Sequence, residues 1–403
     1  MTHYLFYQHN VQRFFITHIE KFDGILVPFS IAASFPAGTY GFLRALLGKD
    51  QTKRFGLDPR SALFQQGWNR SNIREPHRKM AAIFGEPFTT VGLLRALTPQ
   101  DLPAARINEL TRSCIQYQLD FKVQKDQQRK LEKYRKLLGI DTVPEITNPQ
   151  HFIPPYFRFS DVGDEWYEIS MNCTEQATTI VPANELCPIV HFAKWPTTNE
   201  WQTVAARLKK AGISSLFMYP NNFKEHEAKE EDLQKYVEST TSIAGAEITA
   251  IALHGGYLSI LMEKKGLSGF GNGVGYGEWR DSGYHRGGTA EIRLYIPKLH
   301  RFLDPASAQS LISGNPEHFT ADSDLLSEYA LANKPLTSVS LQEALDHFMD
   351  SRQREIETVR DNTLSHLTQE LQDTIEVLKD IGQLEAETYG PSLTRWRSVL
   401  SKA

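Results

Sequence analysis

Cysteine is scarce in this chain, with three in 403 residues, Cys114, Cys173 and Cys187. The number is odd and no two stand in CxxC spacing. A disulfide framework and a cysteine-rich structural zinc site are both excluded. A reducing, cytoplasmic setting is the default expectation. Long hydrophobic runs are missing too, since no stretch approaches the roughly 20 apolar residues that cross a bilayer. The first residues, "MTHYLFYQHNVQRFF", are broken by His9, Gln12 and Arg13 and do not read as a signal peptide. There is no repeat with a period of 20 to 50 residues. A phosphate-binding P-loop, a GxSxG elbow, an SxxK pair and HxH or HExxH spacing are all absent, which argues against P-loop ATP hydrolysis and serine acyl transfer.

The apolar fraction of 40% and charged fraction of 23% are ordinary for a globular protein. A formal net charge of -4 gives no bulk attraction for polyanions. The strongest pattern is eight short apolar runs. They are Ile25 to Ser30, Ala62 to Gln66, Tyr156 to Val162, Pro188 to Ala193, Ser215 to Phe223, Ile248 to Gly256, Leu267 to Glu278 and Ile292 to Pro297. Several are continuously apolar, as in strands buried on both faces of a parallel sheet. Helical segments separate them. In Asn199 to Gly212, residues Trp201, Val204, Ala205 and Leu208 share a face, and Gly212 fits a left-handed cap. Strand and helix in alternation predict crossover units, and eight runs predict an α/β (β/α)8 TIM-type barrel. An open doubly wound sheet is the alternative.

The barrel is expected over residues 1–305, with a helical insertion at about 68–149 and a C-terminal helical region over 306–403. In the insertion, Asp101 is a candidate N-cap with Pro103 early in the helix, and a basic stretch runs from Lys122 to Lys136. That stretch reads as a solvated face or as a phosphate-tracking surface. Further on, Ser340 and Glu343 spell a capping box. Apolar residues recur from Leu341 to Leu378 at steps of three and four, interrupted by Arg352. Such a stripe packs on its own domain, or pairs with a protein partner or a second copy of the chain through residues 341–378.

Candidate site residues lie at the ends of the runs, where barrels carry their chemistry. Asp161 and Glu278 are the candidate catalytic carboxylates, as nucleophile or base and partner. Gln65, His191, Tyr219, Asn222, His254 and Gly255 are the candidate pocket residues. Gly271, Gly273, Gly275 and Gly277 offer backbone N–H groups to an anion, or let a crowded strand pack. Arg280 would neutralise an anionic ligand, followed by His285 and Arg286. Trp68, Asn69, Arg70 and Arg74 could stack on or hold a base or sugar. No residue set predicts a metal site, and no cofactor is indicated.

Two fragments, "VGYGE" (Val274 to Glu278) and "ALFQQ" (Ala62 to Gln66), resemble the tRNA-guanine transglycosylase family of barrels. The Asp-Ser-Gly-Gly that precedes the second motif in that family is absent, and so are its zinc-binding cysteines. The resemblance implies a base- or nucleoside-binding pocket with Glu278 near it. The expected function is therefore a barrel enzyme acting on a nucleoside, nucleotide or nucleic acid, by transfer or hydrolysis at a glycosidic bond. A non-catalytic barrel that serves as a binding module is the alternative.

Overall fold

The computed structural model describes residues 1–67, 73–121, 136, 139, 148–275, 277–278 and 291–402. Trp68, Asn69, Arg70, Arg280, His285, Arg286 and the basic stretch up to Arg135 lie outside the described residues.

Eight strands lie parallel in one sheet: β1 (Thr2–Phe6), β2 (Gly24–Pro28), β3 (Arg54–Asp58), β4 (Arg158–Phe159), β5 (Ile189–Phe192), β6 (Ser215–Pro220), β7 (Thr249–Leu253) and β8 (Gly269–Asn272). β1 pairs with both β2 and β8, and the order then runs down from β8 to β4. The last gap, between β3 and β4, is closed by the residues leading into β4. Gly56 bridges to His151 and Phe152 to Leu186, both parallel. Gln150 donates its N–H to the Phe55 carbonyl at 3.1 Å and accepts the Phe55 N–H on its side chain at 2.9 Å. The result is a (β/α)8 barrel, as the apolar runs predict.

Six of the eight predicted runs supply barrel strands. The other two do not. Ser61–Gln65 is a 3-10 turn beyond β3. Leu294–Ile296 (β9) pairs antiparallel with Arg301–Leu303 (β10) outside the barrel. Their places are taken by β1 and β3, whose short sequences "THYLF" and "RFGLD" begin or end on polar residues and so lack a run's signature.

Side chains alternate across each strand. Tyr4, Leu26, Ile153, Ile189, Phe217 and Ile251 meet inside the barrel. Their neighbours Leu5, Ile25, Phe55, Val190, Met218, Ala250 and Phe270 face the outer helices. Gly269 and Gly271 leave room inside for Thr2, Tyr4 and Phe6. Low in the barrel, the Tyr4 hydroxyl and His151 Nε2 share a hydrogen bond of 2.5 Å. Burial holds His151 well below its usual range, at about 4, so its ring is neutral.

The outer helices are α1 (Pro36–Lys49), α2 (Glu75–Phe84), α3 (Ala104–Asp120), α4 (Glu165–Ala177), α5 (Thr198–Lys210), α6 (Glu230–Gly245) and the short α7 (Tyr257–Leu261). α5 buries Trp201, Val204, Ala205 and Leu208, and Gly212 beyond it takes a φ of 75°. The insertion between β3 and β4 holds α2 and α3. Asp101 does not cap α3. It accepts the Thr98 N–H at 2.8 Å and closes a 3-10 turn, and α3 starts after Pro103.

The C-terminal region carries α8 (Leu341–Asp361), α9 (Leu364–Ile381) and α10 (Gln383–Lys402). The Ser340–Glu343 capping box forms as expected, with Ser340 N–H to Glu343 at 2.8 Å. The periodic residues Leu345, Phe348, Ile356, Val359, Leu367, Leu371, Ile375 and Leu378 are buried in the chain's own core. Only Leu341 of that stripe is exposed. No described helix is long and apolar enough to cross a membrane.

Candidate functional site

The barrel's C-terminal mouth holds a narrow pocket, of about 20 Å³, lined by Phe6, Asp58, Arg60, Ala62, Leu63, Tyr156, His191, Tyr219, Leu253 and His254. All but Tyr156, which leads into β4, lie near the end of a strand or in the loop after it, because parallel strands all deliver their last inward side chains to one rim. Five aromatic rings pack against one another along the wall. Tyr156 meets His191 at 6.0 Å between centroids, and His191 stacks on Tyr219 at 4.1 Å with 5° between planes. Tyr219 meets His254 at 5.2 Å, and His254 meets Phe6 at 4.3 Å.

At one end of this row sits a carboxylate–guanidinium pair. Asp58 accepts from the Arg60 backbone N–H at 3.0 Å, from Arg60 Nε at 3.1 Å and from the Tyr156 hydroxyl at 3.0 Å. Three donors keep the carboxylate fixed in place. The terminal nitrogens of Arg60 have no partner among the described residues. They are free to take an anion in the pocket. Burial and the neighbouring Asp58 push the Tyr156 phenol well above its ordinary range, so it stays protonated as a donor.

Three non-glycine residues at this rim adopt left-handed backbone conformations: Arg60 after β3 (φ 50°), Asn222 after β6 (φ 54°) and His254 after β7 (φ 61°). Such positions each cost on the order of 1–3 kcal/mol and gather where side chains must be aimed rather than relaxed. His254 Nδ1 lies 3.2 Å from the Gly277 carbonyl oxygen. A carbonyl only accepts, so this contact places the proton on Nδ1 and leaves Nε2 as the basic nitrogen.

Of the residues expected from sequence, His191, Tyr219 and His254 come together in this pocket. Gln65 sits behind it, exchanging two hydrogen bonds with the Arg158 backbone at 2.6 and 2.7 Å. Asn222 belongs to the strained rim. The glycines stand nearby and are tightly packed. A Cβ on Gly255 would meet the Ser259 side chain at 2.5–2.7 Å, and one on Gly277 would meet the Gly273 backbone at 2.7 Å. Gly273 donates to the Gly277 carbonyl at 3.3 Å. Gly275, with φ 79°, would place a Cβ 2.2 Å from Leu345 of α8. Gly271 faces Tyr4 and Phe6 inside the barrel.

Neither candidate carboxylate lines the pocket. Asp161 is exposed and accepts the Gly163 N–H at 2.9 Å, turning the loop before α4. Glu278 lies against the C-terminal region, where Arg352 of α8 donates to it. Arg352 is fully buried and also donates to Glu355 at 2.7 Å, with the Tyr295 ring 4.9 Å from its guanidinium carbon. Glu355 in turn accepts from Tyr295 and His300, both at 2.7 Å. A third carboxylate, Glu225, is buried beside them. It accepts the N–H groups of Gly256, Leu258 and Ser259 at 2.9–3.2 Å. A Cβ on Gly256 would lie 2.9 Å from Glu225 and 3.0 Å from Glu278, so both carboxylates flank one backbone point. Burial, with Glu225 and Glu355 close by, outweighs Arg352 and pushes Glu278 up to about 8.

Sequence reasoning passed over Asp58, Arg60, Tyr156 and Glu225. Asp58 and Arg60 follow a strand without an apolar run. Glu225 finds its partners more than thirty residues away. The pair Asp-x-Arg directly after a short strand was the one usable local signal. No described set of three or more His, Cys, Asp or Glu residues could share a metal ion.

No family model matches this chain, and no curated protein matches it. Among solved structures, it is similar to a type I 3-dehydroquinate dehydratase from Clostridium difficile, at 9% identity over 70% of this chain and 87% of that one, TM-score 0.36. It is also similar to a fructose-1,6-biphosphate aldolase, so described, from Coccidioides immitis, at 9% identity over 89% of this chain and 88% of that one, TM-score 0.33. A nitroalkane oxidase from Streptomyces ansochromogenes aligns at 11% identity over 89% and 96%, TM-score 0.30. Likenesses this distant carry no argument about chemistry.

Proposed function

We propose that the chain is a barrel enzyme working at its C-terminal mouth on a nucleoside or nucleotide, by hydrolysis or transfer at the glycosidic bond. The observation that carries this reading is the row of rings from Tyr156 to Phe6 with the open guanidinium of Arg60 at its end. Phe6 and His254, the less buried rings of the row, are where a flat base stacks, and a phosphate takes the two terminal nitrogens of Arg60. His254, protonated on Nδ1, takes a proton on Nε2 from the attacking water or acceptor hydroxyl as the carbon–nitrogen bond to the base breaks. The base leaves as its anion and takes a proton on its ring nitrogen from solvent, to which His254 returns the proton it collected. The binding-module alternative has less support, because the apolar face on which it depends is buried within the chain.

The test is calorimetric titration with matched sets of bases, nucleosides and nucleoside monophosphates, followed by chromatography for released base. Monophosphates should bind tightest. Arg60→Met should weaken them roughly tenfold or more, the worth of a charge-assisted hydrogen bond, and leave nucleosides nearly unchanged. The reading fails if no member of the sets binds, or if Arg60→Met weakens nucleosides and monophosphates alike.

A further inference from the structure

His254 follows β7 at the mouth, and its ring is aimed by an atom outside the pocket. The carbonyl oxygen of Gly277 lies 3.2 Å from its Nδ1. The backbone just beyond His254 is held separately. Gly255 donates its N–H to the Gly271 carbonyl at 3.0 Å, and Gly256 donates to Glu225 at 2.9 Å. Those bonds fix where the histidine stands. They do not decide which ring nitrogen carries the proton, which is set by the partner that the ring meets.

That partner needs an anchor of its own. Gly277 has no side chain, and glycine is the residue whose backbone turns most freely. Its carbonyl and the nitrogen of Glu278 belong to one planar peptide unit, so whatever holds Glu278 also orients the carbonyl. Gly273 donates to the same oxygen at 3.3 Å, but from within the glycine run. The firm hold comes from α8, where Arg352 donates to the Glu278 carboxyl group. Arg352 is fully buried, donates to Glu355 at 2.7 Å and packs on the rings of Tyr295 and Phe348 at 4.9 and 5.2 Å. It is therefore a fixed point, set by contacts that do not involve Glu278.

We propose that Arg352 and Glu278 are positioning residues for His254, holding the Gly277 carbonyl where it keeps the proton on Nδ1 and leaves Nε2 to act as the base. This rests on the reading of His254 as the base at the mouth. Neither Arg352 nor Glu278 lines the pocket, so α8 acts on the mouth through a hydrogen-bonded path and not by touching a ligand. An anchor that served stability alone would lower the melting curve when cut and leave the tautomer as it was.

The experiment is long-range proton–nitrogen NMR of the full chain with 15N-labelled histidine, above the titration range of that residue. The His254 signals are assigned by their loss in His254→Asn. The parent should carry the His254 proton on Nδ1. Glu278→Ala should turn that single state into a mixture of tautomers. Glu278→Gln offers Arg352 an oxygen at the same reach and should restore the parental spectrum. Glu278→Asp, one methylene short of Arg352, should shift the spectrum as alanine does, and keeps the test open if the alanine variant does not fold. His151, low in the barrel, should move in none of them. The proposal is overturned if the alanine and aspartate variants keep the parental tautomer, if the glutamine variant drifts as far as they do, if His151 shifts along with His254, or if the parent carries its proton on Nε2. The spectrum needs no substrate, so failure of the nucleotide reading in binding or turnover leaves this outcome standing on its own.

Discussion

Arg352 on α8 donates to Glu278 at the end of the glycine run, so the C-terminal helices are tied to the barrel by a buried hydrogen bond as well as by apolar packing. One guanidinium there serves a site with three carboxylates, Glu225, Glu278 and Glu355.

Arg352→Met removes the cation and leaves the Glu355 charge buried with only Tyr295 and His300 as donors. A loss of about 3–5 kcal/mol is expected, as for breaking a buried pair from one side. Urea unfolding followed by far-UV circular dichroism measures it. A loss under about 1 kcal/mol would show that the network is solvated.

The contribution of Glu278 to stability should fall as pH rises. Glu278 has a folded pKa of about 8, above its ordinary value, so the folded state holds a proton that the unfolded chain has released. Its contribution is complete below the unfolded pKa and is lost as pH rises through the folded one. Between about pH 7 and 8, above the range in which the buried histidines His3, His151 and His226 pull the other way, the slope should approach 1.4 kcal/mol per pH unit at most. Glu278→Gln should flatten that slope, which unfolding curves at several pH values will read directly.

Gly275→Ala tests whether the glycine run is a packing feature. The added methyl meets Leu345 and a left-handed backbone, and should cost about 1–3 kcal/mol. Leu345→Ala in the same chain should recover the steric part and leave the backbone part. Full recovery, or none, would show that only one of the two causes operates.

Asp161→Asn should leave both stability and binding at the mouth close to those of the parent, because the carboxylate is exposed and serves its own loop. His254→Asn keeps a residue that tolerates a left-handed backbone while removing the basic nitrogen. It should abolish base release and spare the fold. Chromatographic turnover assays of both variants, beside melting curves, separate the two expectations.

The strands most legible in the sequence were those with continuous apolar runs, such as β6 and β7, because burial on both faces leaves no room for polar positions. β1 and β3 were not legible. Thr2, His3 and Arg54 start them and Asp58 ends one, so five-residue strands show too little apolar length to register. "IRLYIP" is a strand by composition, but Pro297 and the left-handed His300 turn it into a hairpin with β10 instead of a barrel member. The site divides in the same way. His191, Tyr219 and His254 could be named because each ends a visible run, whereas Asp58 and Arg60 were hidden with β3.

By itself the sequence determined the alternation of strand and helix, the capping of α5 and α8, and the apolar face of the C-terminal helices. These depend on residues within one or two turns of each other, whose spacing is fixed by backbone geometry. Only the tertiary structure decided which side chains share the mouth, and that Arg352, an interruption in an apolar stripe, is the buried partner of Glu278. That contact spans 74 positions in the chain. Closing the barrel brings the two ends together, and no local pattern encodes which charge will be waiting there.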